Sequence, residues 1–497
     1  MVDYVQMHAS LHPTRAAVSD LTLELVWTYQ ELNQFIGQTA TVLQGLGVAE
    51  GARVACLAKN RAEFIALQFA CARLGAIFVP LNWRLSGEEL SVLIQDCTPT
   101  VVYADDLANL LEPAKAVVTD LNIQPIDNLI ASCGLAEAAL CQPKSPDLPS
   151  LMLYTSGTTG RPKGVLLSER NLTENAINFS LLGEVEGGSH LLCESPMFHT
   201  IGMVASVRPA LFRGAKISVS DRFLPARTLA RLSDAELGLT HYFCVPQMAV
   251  MLREEPEFNA DKLRGLTALF TGGAPHPAAQ IQDWLNDGIA IVDGYGMSES
   301  GTVFGMPLDQ TLISHKAGCV GVSTPRVQSR LVDDEGNVLG AGCAGELQIK
   351  GDNITRGYWQ RPEETAKAFT EDGWFRTGDV LLRDNDGFYR VTDRKKDMYI
   401  SGGENVYPAE VEAVLVKYPG IKELAVVGLP DEKWGEVGCL FYVAEEAIAL
   451  VDIEAYLTEH VARYKIPKQV QKISAIPRNS LGKILKHQLR DEYSVGV

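Results

Sequence analysis

The stretch that decides the fold covers residues 151–165 and reads LMLYTSGTTGRPKGV. In it an apolar strand pattern runs into four hydroxyl side chains, three glycines and a lysine. Glycines let backbone N–H groups approach an anion, hydroxyls donate hydrogen bonds, and lysine adds positive charge. The loop therefore has the chemistry of a phosphate-binding site, although it lacks the Gly-Lys-Ser/Thr ending of a Walker loop. Taken alone, a surface turn rich in serine, threonine and glycine stays an alternative.

On both sides of this loop, short apolar runs alternate with amphipathic helical patterns, which predicts an α/β protein with parallel sheets. Residues 63–74 predict a helix that ends at Gly75, and a capping box at residues 86–89 opens another. The apolar runs at 268–271 and 289–292 predict buried parallel strands. Open α/β sheets bind ligands at the carboxyl ends of such strands, so we expect the site there.

The pattern changes near residue 383, where a turn precedes the charged run 393–397. This change predicts a large N-terminal domain of parallel-sheet α/β layers over residues 1–393 and a small, mobile α+β domain over residues 394–497. The second domain has two predicted helices and a predicted strand, at residues 408–416, 453–461 and 424–427.

The composition indicates a globular chain of 497 residues, 46% of them apolar and 21% charged, with a formal charge of -17. This acidity argues against non-specific binding of nucleic acid or an anionic membrane surface. No run reaches the roughly 20 apolar residues of a membrane span, and the N-terminus lacks a signal-peptide pattern. Ten cysteines without a C-x-x-C pair predict free thiols in a reducing cytoplasm, not a zinc site. Peripheral membrane contact and the choice between monomer and homodimer stay open.

The acidic charge is distributed unevenly along the chain. Residues 394–497 hold 14 basic and 15 acidic side chains, so residues 1–393 carry nearly all of the excess. Residues 460–490, here called the basic segment, hold eight basic side chains and no acidic one. On an acidic protein this segment predicts a contact for polyanionic substrates, with a solvated basic surface as the alternative.

Five motifs together resemble the adenylate-forming superfamily, which contains acyl-CoA synthetases, non-ribosomal adenylation domains and beetle luciferase. They occur in the order and at the spacing of that family, and they are residues 151–165, 295–299 (YGMSE), 374–379 (WFRTGD), 393–397 (DRKKD) and 477–484 (PRNSLGKI). The resemblance implies an enzyme that activates a carboxylic acid with ATP as acyl-AMP, releases pyrophosphate, and passes the acyl group to the thiol of coenzyme A. Because both reactants of the first step are anions, such catalysis depends on positioning and on neutralising phosphate charge.

The resemblance assigns most of the site residues to ATP and Mg2+. Glu299 is expected to hold Mg2+, a hard cation that prefers carboxylate and phosphate oxygens. Asp379 is expected to bind the ribose hydroxyls, and Arg394 the ribose or a phosphate. The β- and γ-phosphates would be held by Thr155, Ser156, Gly157, Thr158, Thr159 and Lys163. The adenine site would be formed by Gly273, Ala274, Pro275, Asp293, Tyr295 and Gly296, the last of which leaves room for the substrate.

The resemblance also assigns the residues that act on the acid. Lys483 matches the lysine that reaches the substrate carboxylate and the α-phosphate during adenylation. His199 would lie beside the acyl carboxylate and move to admit the thiol, and Ser298 keeps the hydroxyl of the threonine that the family more often has. The small domain would rotate after adenylation about Lys396. That rotation would present Gly402, Gly403 and Glu404 to the pantetheine tunnel.

The acid itself is expected to be a fatty or aryl acid, because the candidate acyl-pocket positions are mostly apolar. These positions are Met203, Val207, Phe243, Val245 and Met297. Arg208 keeps a diacid or amino acid open. Two alternatives to a CoA ligase are an enzyme that loads a carrier protein and a catalytically inactive nucleotide-binding protein. The presence of Lys483, Glu299 and Asp379 argues against the inactive protein.

Overall fold

The computed structural model describes residues 3–139, 144–155, 162–274, 276–394, 397–401, 404–431, 434–458, 460–461, 463–478 and 484–494. Contacts divide the chain into two compact units. The first comprises residues 1–328 with 350–375, and the second comprises 329–349 with 376–497. The predicted domain boundary after residue 393 lies inside the second unit, and it stays a prediction.

The first unit is built from two sheets with helices packed around them. Its described strands are β1 (Ala16–Asp20), β2 (Leu25–Thr28), β3 (Arg53–Leu57), β4 (Ile77–Pro80), β5 (Val101–Ala104), β6 (Ile123–Pro125), β7 (Pro149–Thr155), β8 (Lys163–Ser168), β9 (His190–Cys193), β10 (Lys216–Val219), β11 (His241–Cys244), β12 (Ala268–Thr271), β13 (Ile291–Met297), β14 (Gly301–Gly305) and β15 (Val322–Ser323).

The described helices of this unit are α1 (Tyr4–Leu11), α2 (Tyr29–Gly45), α3 (Glu63–Leu74), α4 (Gly87–Cys97), α5 (Glu112–Val117), α6 (Leu129–Gly134), α7 (Glu169–Leu182), α8 (Arg208–Arg213), α9 (Pro225–Leu232), α10 (Pro246–Glu254), α11 (Ala260–Leu263), α12 (Ala278–Asn286), α13 (Gln310–His315) and α14 (Pro362–Ala368). Short 3-10 helices cover Ala108–Leu111 and Ile126–Asn128, and a π-helix covers Ile201–Val207.

Both sheets are parallel in their centres. Among the described strands, one sheet has the order β6-β5-β3-β4-β7-β8 and the other β15-β14-β13-β12-β11-β9-β10-β1-β2. Antiparallel pairs occur at the margins, where β7 pairs with β8, β1 with β2, and β14 with its two neighbours. The predicted α/β class with parallel sheets is therefore confirmed.

Local sequence signals explain several element bounds. The helix predicted at 63–74 is α3, and it ends where Gly75 adopts the left-handed conformation with φ 73°. Ser86 and Glu89 form the predicted capping box of α4. The strand predicted at 289–292 is displaced: β13 begins at Ile291 and runs on to Met297, because its far half pairs with β14.

The second unit contains two smaller sheets. Its described strands are β16 (Gln328–Val332), β17 (Ala344–Lys350), β18 (Phe375–Arg383), β19 (Tyr389–Arg394), β20 (Tyr399–Ser401), β21 (Glu404–Val406), β22 (Ile421–Asp431), β23 (Gly435–Ala444) and β24 (Gln469–Lys472). Its described helices are α15 (Pro408–Leu415), α16 (Leu450–Thr458) and α17 (Lys486–Ser494), with a 3-10 turn at Arg463–Lys465.

The long hairpin of β22 and β23 organises the C-terminal part of this unit. The two strands pair antiparallel over their length, and β24 joins β23 in parallel. One face packs Val426 and Leu440 in an apolar cluster, and the opposite face packs Val427 and Phe441 in a second. Because the centre of β22 is covered on both faces, residues 424–429 form a continuous apolar run, and the strand predicted at 424–427 is only part of β22.

Candidate active site

The carboxyl ends of neighbouring parallel strands bring several of the predicted site residues together. Strands β11, β12 and β13 run parallel and in register, with Cys244 opposite Thr271 and Thr271 opposite Asp293. Tyr295 and Gly296 lie in β13 beyond Asp293, and the segments that follow β9, β12 and β13 contain His199, Gly273, Ala274, Ser298 and Glu299. This is the edge at which open α/β sheets bind ligands.

The phosphate loop is described only at its two feet. Thr155 ends β7 and Lys163 begins β8, and the two residues lie opposite each other in the antiparallel pair. The Thr155 hydroxyl donates to the Lys163 carbonyl at 3.5 Å. The other predicted loop residues, Ser156, Gly157, Thr158 and Thr159, lie outside the described residues.

Tyr358 connects this loop to the predicted metal ligand. The Lys163 Nζ lies 5.4 Å from the centroid of the Tyr358 ring, and the Tyr358 hydroxyl donates to Glu299 Oε1 at 3.0 Å. Burial and then the neighbouring Glu299 carboxylate raise the pKa of Tyr358, so the phenol keeps its proton and donates it to the hydrogen bond. Sequence reasoning missed this tyrosine, because a single tyrosine between Gly357 and Trp359 carries no motif of its own.

Backbone contacts fix this tyrosine in place. The Trp359 N–H donates to the Gly164 carbonyl at 2.7 Å, and the Thr355 N–H donates to the Glu299 carbonyl at 2.7 Å. The segment between them is thus attached both to the start of β8 and to the residue that carries the carboxylate. Lys163, Tyr358 and Glu299 form one local arrangement whose geometry the backbone determines.

The carboxylate of Glu299 suits a Mg2+ ion that nucleotide phosphates also coordinate. Its residue is 8% exposed, and one oxygen already accepts the Tyr358 hydrogen bond. Among the described residues, no cluster of three histidine, cysteine or acidic side chains could hold a metal by itself. Proteins commonly bind Mg2+ with one or two carboxylates plus substrate phosphates, and this arrangement fits that description.

His199 lies at the entrance of an unusual helix. It is half-buried, and the Ile201 N–H points to its Nδ1 at 3.5 Å. The π-helix Ile201–Val207 follows directly, a form of helix that is rare and frequent at functional sites. The adjacent Thr200 hydroxyl donates to the Ser298 hydroxyl at 3.4 Å. His199 is therefore held next to the segment that carries Ser298 and Glu299.

A buried polar chain lies at the predicted adenine site. Asp293, 3% exposed, accepts hydrogen bonds from the Thr271 hydroxyl at 3.2 Å and the Gly294 N–H at 3.1 Å. Burial raises the pKa of Asp293 to about 8. Because the Thr271 hydroxyl donates to Asp293, His276 donates through Nδ1 to Thr271 at 2.9 Å. Thr271 and His276 were not predicted from the sequence, although both flank residues 272–275, which contain the predicted adenine-site residues Gly273, Ala274 and Pro275.

Two of the predicted adenine-site residues have structural contacts of their own. The Tyr295 ring packs at 5.7 Å from the Phe304 ring. A side chain on Gly296 would place its Cβ 2.1 Å from the Gly301 carbonyl oxygen, so glycine is required there by the approach of β14. Pro275 lies outside the described residues, and Gly273 and Ala274 are exposed.

The five candidate acyl-pocket residues divide into two groups. Met203 and Val207 are 0% exposed, so they belong to the packed side of the π-helix and do not face an open pocket. Phe243, Val245 and Met297 keep part of their surface exposed. Only the second group is placed to touch a substrate.

Arg208 is not available to a second carboxylate of a substrate. Its guanidinium is fully buried and donates to both carboxylate oxygens of Glu169 at 2.7 and 2.9 Å. It also donates to the Tyr4 hydroxyl at 2.6 Å and to Gln68, and it lies 4.2 Å from the Phe69 ring centroid. Burial opposes its charge, but Glu169 keeps the pKa of Arg208 above its ordinary value. Arg208 therefore gives no support for a diacid substrate, because its guanidinium is already paired with Glu169.

In the second unit, Asp379 lies in β18 opposite Arg394 in β19. Asp379 is 5% exposed, and its N–H donates to the Thr377 hydroxyl at 3.1 Å. Only the backbone is described for Arg394 and Glu404. Four further residues with predicted roles lie outside the described residues, namely Lys396, Gly402, Gly403 and Lys483.

Ion pairs in the structure neutralise part of the positive charge of the basic segment. Four of its side chains form ion pairs with carboxylates from other parts of the unit, namely Lys465 with Glu410, Lys468 with Glu454, Arg478 with Glu423 and Lys486 with Glu412. Four of the eight basic side chains counted in the sequence are therefore paired with carboxylates, and the contact for polyanionic substrates stays a prediction. Pairing across the fold cannot be read from a segment count.

The comparisons with known proteins identify the family of this chain. The AMP-binding enzyme family matches residues 5–359, and the AMP-binding enzyme C-terminal domain matches residues 410–483. The chain is 37% identical over 474 residues to a feruloyl-CoA synthase from an Amycolatopsis species, covering 94% of each. It is 35% identical over 502 residues to the long-chain-fatty-acid–CoA ligase FadD13 of Mycobacterium tuberculosis, covering 99% of this chain and 98% of that one.

The fold agrees as well. The crystal structure of ATP-bound MatB from Rhodopseudomonas palustris superimposes with a TM-score of 0.90 at 29% identity, over 99% of both chains. Within the described residues, no helix is both long and apolar enough to cross a membrane. The predicted resemblance is confirmed: this chain belongs to the AMP-binding enzyme family of the adenylate-forming superfamily, and within it to the acyl-CoA synthetases.

Proposed function

We propose that this enzyme activates an aryl or fatty acid with ATP at the strand ends of the first unit and transfers it to coenzyme A. In the first step a carboxylate oxygen attacks the α-phosphorus, and the bond to pyrophosphate breaks. In the second step the thiol sulfur attacks the acyl carbon, the bond to AMP breaks, and the thiol loses its proton. The observation that carries the proposal is the arrangement of Lys163, Tyr358 and Glu299 beside the phosphate loop.

That arrangement answers the electrostatic problem of the first step. Two anions must meet, so a positive side chain next to the β- and γ-phosphates lowers their repulsion. Lys163 supplies this charge from the foot of the loop. Glu299 would hold Mg2+, which when bound neutralises phosphate charge and stabilises the pyrophosphate leaving group. Tyr358 keeps the Glu299 carboxylate oriented, because its hydroxyl occupies one oxygen.

The other described residues bind and orient the substrates. His199, with Thr200 and Ser298 hydrogen bonded beside it, would hold the acid carboxylate close to the α-phosphate. Asp293, which Thr271 orients, would contact adenine on the side of its amino group. Holding both partners in a reactive geometry removes entropy from the barrier in advance.

The residues assigned from the second unit complete the proposal. Asp379 and Arg394 would bind the ribose, and Lys483 would bridge the acid and the α-phosphate during adenylation. Rotation about Lys396 would then bring Gly402, Gly403 and Glu404 to the thiol in the second step. These roles rest on the motifs at residues 374–379, 393–397 and 477–484.

The substrate class and the location follow from the relatives and the composition. One relative is named for ferulate and another for long-chain fatty acids, and we assign this enzyme an acid from one of these two classes. The described cysteines are free thiols and all but Cys343 are buried, which favours a reducing cytoplasm.

Pyrophosphate release tests this function. The enzyme is incubated with ATP, Mg2+ and single acids, comprising alkyl acids from acetate to octadecanoate, benzoates and cinnamates, with and without coenzyme A. We expect acid-dependent release that coenzyme A accelerates, with acyl-CoA formed in equal amount. Release that needs a carrier protein in place of coenzyme A would contradict the second step, and no release with any acid would contradict both.

A further inference from the structure

Three phenylalanine rings pack together beneath the strand ends. Phe179 comes from α7, Phe243 from β11 and Phe270 from β12. The ring centroids of Phe179 and Phe270 are 4.9 Å apart, those of Phe179 and Phe243 are 5.7 Å apart, and those of Phe243 and Phe270 are 6.1 Å apart. Aromatic pairs at such distances attract each other beyond simple burial. We call these three residues the phenylalanine cluster.

Neighbouring hydrogen bonds hold the cluster rigidly. The His241 ring stacks on Phe270 with a centroid distance of 5.9 Å. Its Nε2 bonds to the Gly183 carbonyl at 2.9 Å, and its Nδ1 bonds to the Thr240 hydroxyl at 2.7 Å. Since both ring nitrogens are engaged, His241 cannot turn away without losing a hydrogen bond, and Phe270 has little room to move.

One member of the cluster faces the site. Phe179 and Phe270 are 5% and 7% exposed, whereas Phe243 is half-buried and keeps open surface. The Phe243 ring tip lies 3.4 Å from the point where a Cβ would stand on Gly272. Two residues later along the chain, Val245 approaches the corresponding point on Gly273 to 3.9 Å. Phe243 therefore lies against the glycine turn that ends β12.

The gap beside the Phe243 ring is narrow. It is bordered by Phe179, Leu191, Leu192, Ala205, Ser206 and Phe270, among others. It is not wide enough to admit a water molecule. Ala205 and Ser206 belong to the π-helix, so this helix forms the opposite wall. Small gaps of this kind are packing imperfections and not channels.

We propose that the phenylalanine cluster is the end wall of the acyl pocket, and that Phe243 restricts the enzyme to aryl acids and short alkyl acids while excluding long alkyl chains. This inference rests on the proposed function, because it takes the strand ends as the acyl site. A flat aryl ring stacks on the open part of the half-buried Phe243 ring. A long chain instead has to displace three interlocked rings, which costs packing energy throughout the cluster.

The test compares chain-length selectivity between variants. The kcat/KM values for cinnamate, hexanoate, dodecanoate and hexadecanoate are measured with coenzyme A, with the longer acids below their micelle concentrations. Phe243→Ala removes the ring and joins the pocket to the narrow gap beside it. We expect the dodecanoate-to-cinnamate ratio to rise at least about tenfold, since one methylene changes kcat/KM about 10- to 200-fold in an apolar pocket. Phe243→Leu, which disturbs packing less, is expected to shift the ratio in the same direction.

The matched control is Phe258→Ala, which removes the same ring where it packs on Trp284 with centroids 5.6 Å apart. We expect this variant to keep the parent ratio. Parent enzyme that uses hexadecanoate as well as cinnamate would overturn the end wall and leave the proposed function intact. So would folded Phe243→Ala and Phe243→Leu enzymes with unchanged ratios. If none of the tested acids supports AMP formation by the parent enzyme, the proposed function is wrong, and the end wall is wrong with it.

Discussion

Tyr358 is the residue whose importance the sequence conceals most. It contributes one hydroxyl, yet that hydroxyl orients the predicted Mg2+ ligand while the ring lies beside the loop lysine. Outer groups that orient a metal ligand commonly change metal affinity or activity about 10- to 100-fold. A residue can therefore control the site without a recognisable motif, because its role depends on what the fold brings next to it.

Replacing this hydroxyl gives a prediction at the residue scale. Tyr358→Phe keeps the ring and removes the hydrogen bond, so we expect the Mg2+ concentration for half-maximal pyrophosphate release to rise about 10- to 100-fold. The measurement is a Mg2+ titration at saturating ATP and acid. Tyr389→Phe, which removes a hydroxyl 3.1 Å from Ser329 in the second unit, is the matched control. An unchanged Mg2+ requirement in Tyr358→Phe would remove Tyr358 from this role.

Asp293 gives a second prediction at this scale. Burial raises its pKa from 3.8 to about 8, so between these values the folded chain holds a proton that the unfolded chain has released. Stability must therefore fall as pH rises through this window, by up to about 1.4 kcal/mol per pH unit. Asp293→Asn keeps the acceptor oxygen and does not titrate.

The measurement is chemical denaturation of both proteins at pH 5, 6, 7 and 8. The free energy of unfolding of the parent should decline relative to that of Asp293→Asn as pH increases. Parallel pH profiles for the two proteins would show that Asp293 titrates alike in the folded and unfolded chain.

At the scale of elements, the Arg208–Glu169 pair joins two helices of the first unit. Arg208 begins α8, directly after the π-helix, and Glu169 begins α7, directly after β8. The pair lies at 2.7 Å with the arginine fully buried. It thus couples α8, which follows the π-helix, to α7, which carries Phe179 of the phenylalanine cluster and follows the strand that begins at the phosphate loop.

Replacing Arg208 alone should lower the free energy of unfolding more than replacing both Arg208 and Glu169. Arg208→Met leaves the Glu169 carboxylate without its partner, so we expect a loss of about 3–5 kcal/mol in the free energy of unfolding. Adding Glu169→Gln removes the uncompensated charge and should restore a large part of the loss. The measurement is a double-mutant cycle by denaturation. Strictly additive effects would contradict a coupled pair.

Elements with local signals could be predicted, and those with distant partners could not. The glycine that ends α3 and the capping box that begins α4 each depend on only a few consecutive residues. The start of β13 was misplaced by two residues, because its pairing with β14 decides its extent. The π-helix was missed altogether. The apolar residues in this short segment have no periodicity that distinguishes a π-helix from an α-helix.

The site shows the same division. The strand ends, Glu299 and the two described ends of the phosphate loop could be located from the sequence because each belongs to a short motif, and their roles stay predictions. Tyr358, Thr271 and His276 were missed, since each acts through a neighbour that the fold supplies. The ion pairs of the basic segment were missed for a related reason: three of its four partners, Glu410, Glu412 and Glu423, lie about 50 or more residues away in the sequence.

At the scale of the whole molecule, the two steps of the reaction should separate in one variant. Lys483→Ala removes the lysine assigned to adenylation, so we expect acyl-AMP formation to fall by orders of magnitude. Thioester formation from supplied acyl-AMP and coenzyme A should remain near the parent rate, because that step needs no contact from this lysine. Rapid-quench assays of each half-reaction measure both. Equal loss of both steps would refute the assignment of Lys483.

The central claim is that the strand ends of the first unit form acyl-AMP, and pyrophosphate–ATP exchange without coenzyme A tests it most directly. Labelled pyrophosphate enters ATP only if acyl-AMP forms reversibly on the enzyme. We expect exchange that depends on the acid, and Glu299→Gln should reduce its rate by about 100-fold or more while the protein stays folded. Absence of exchange with every acid, or exchange at the parent rate in Glu299→Gln, would contradict the formation of acyl-AMP at this site.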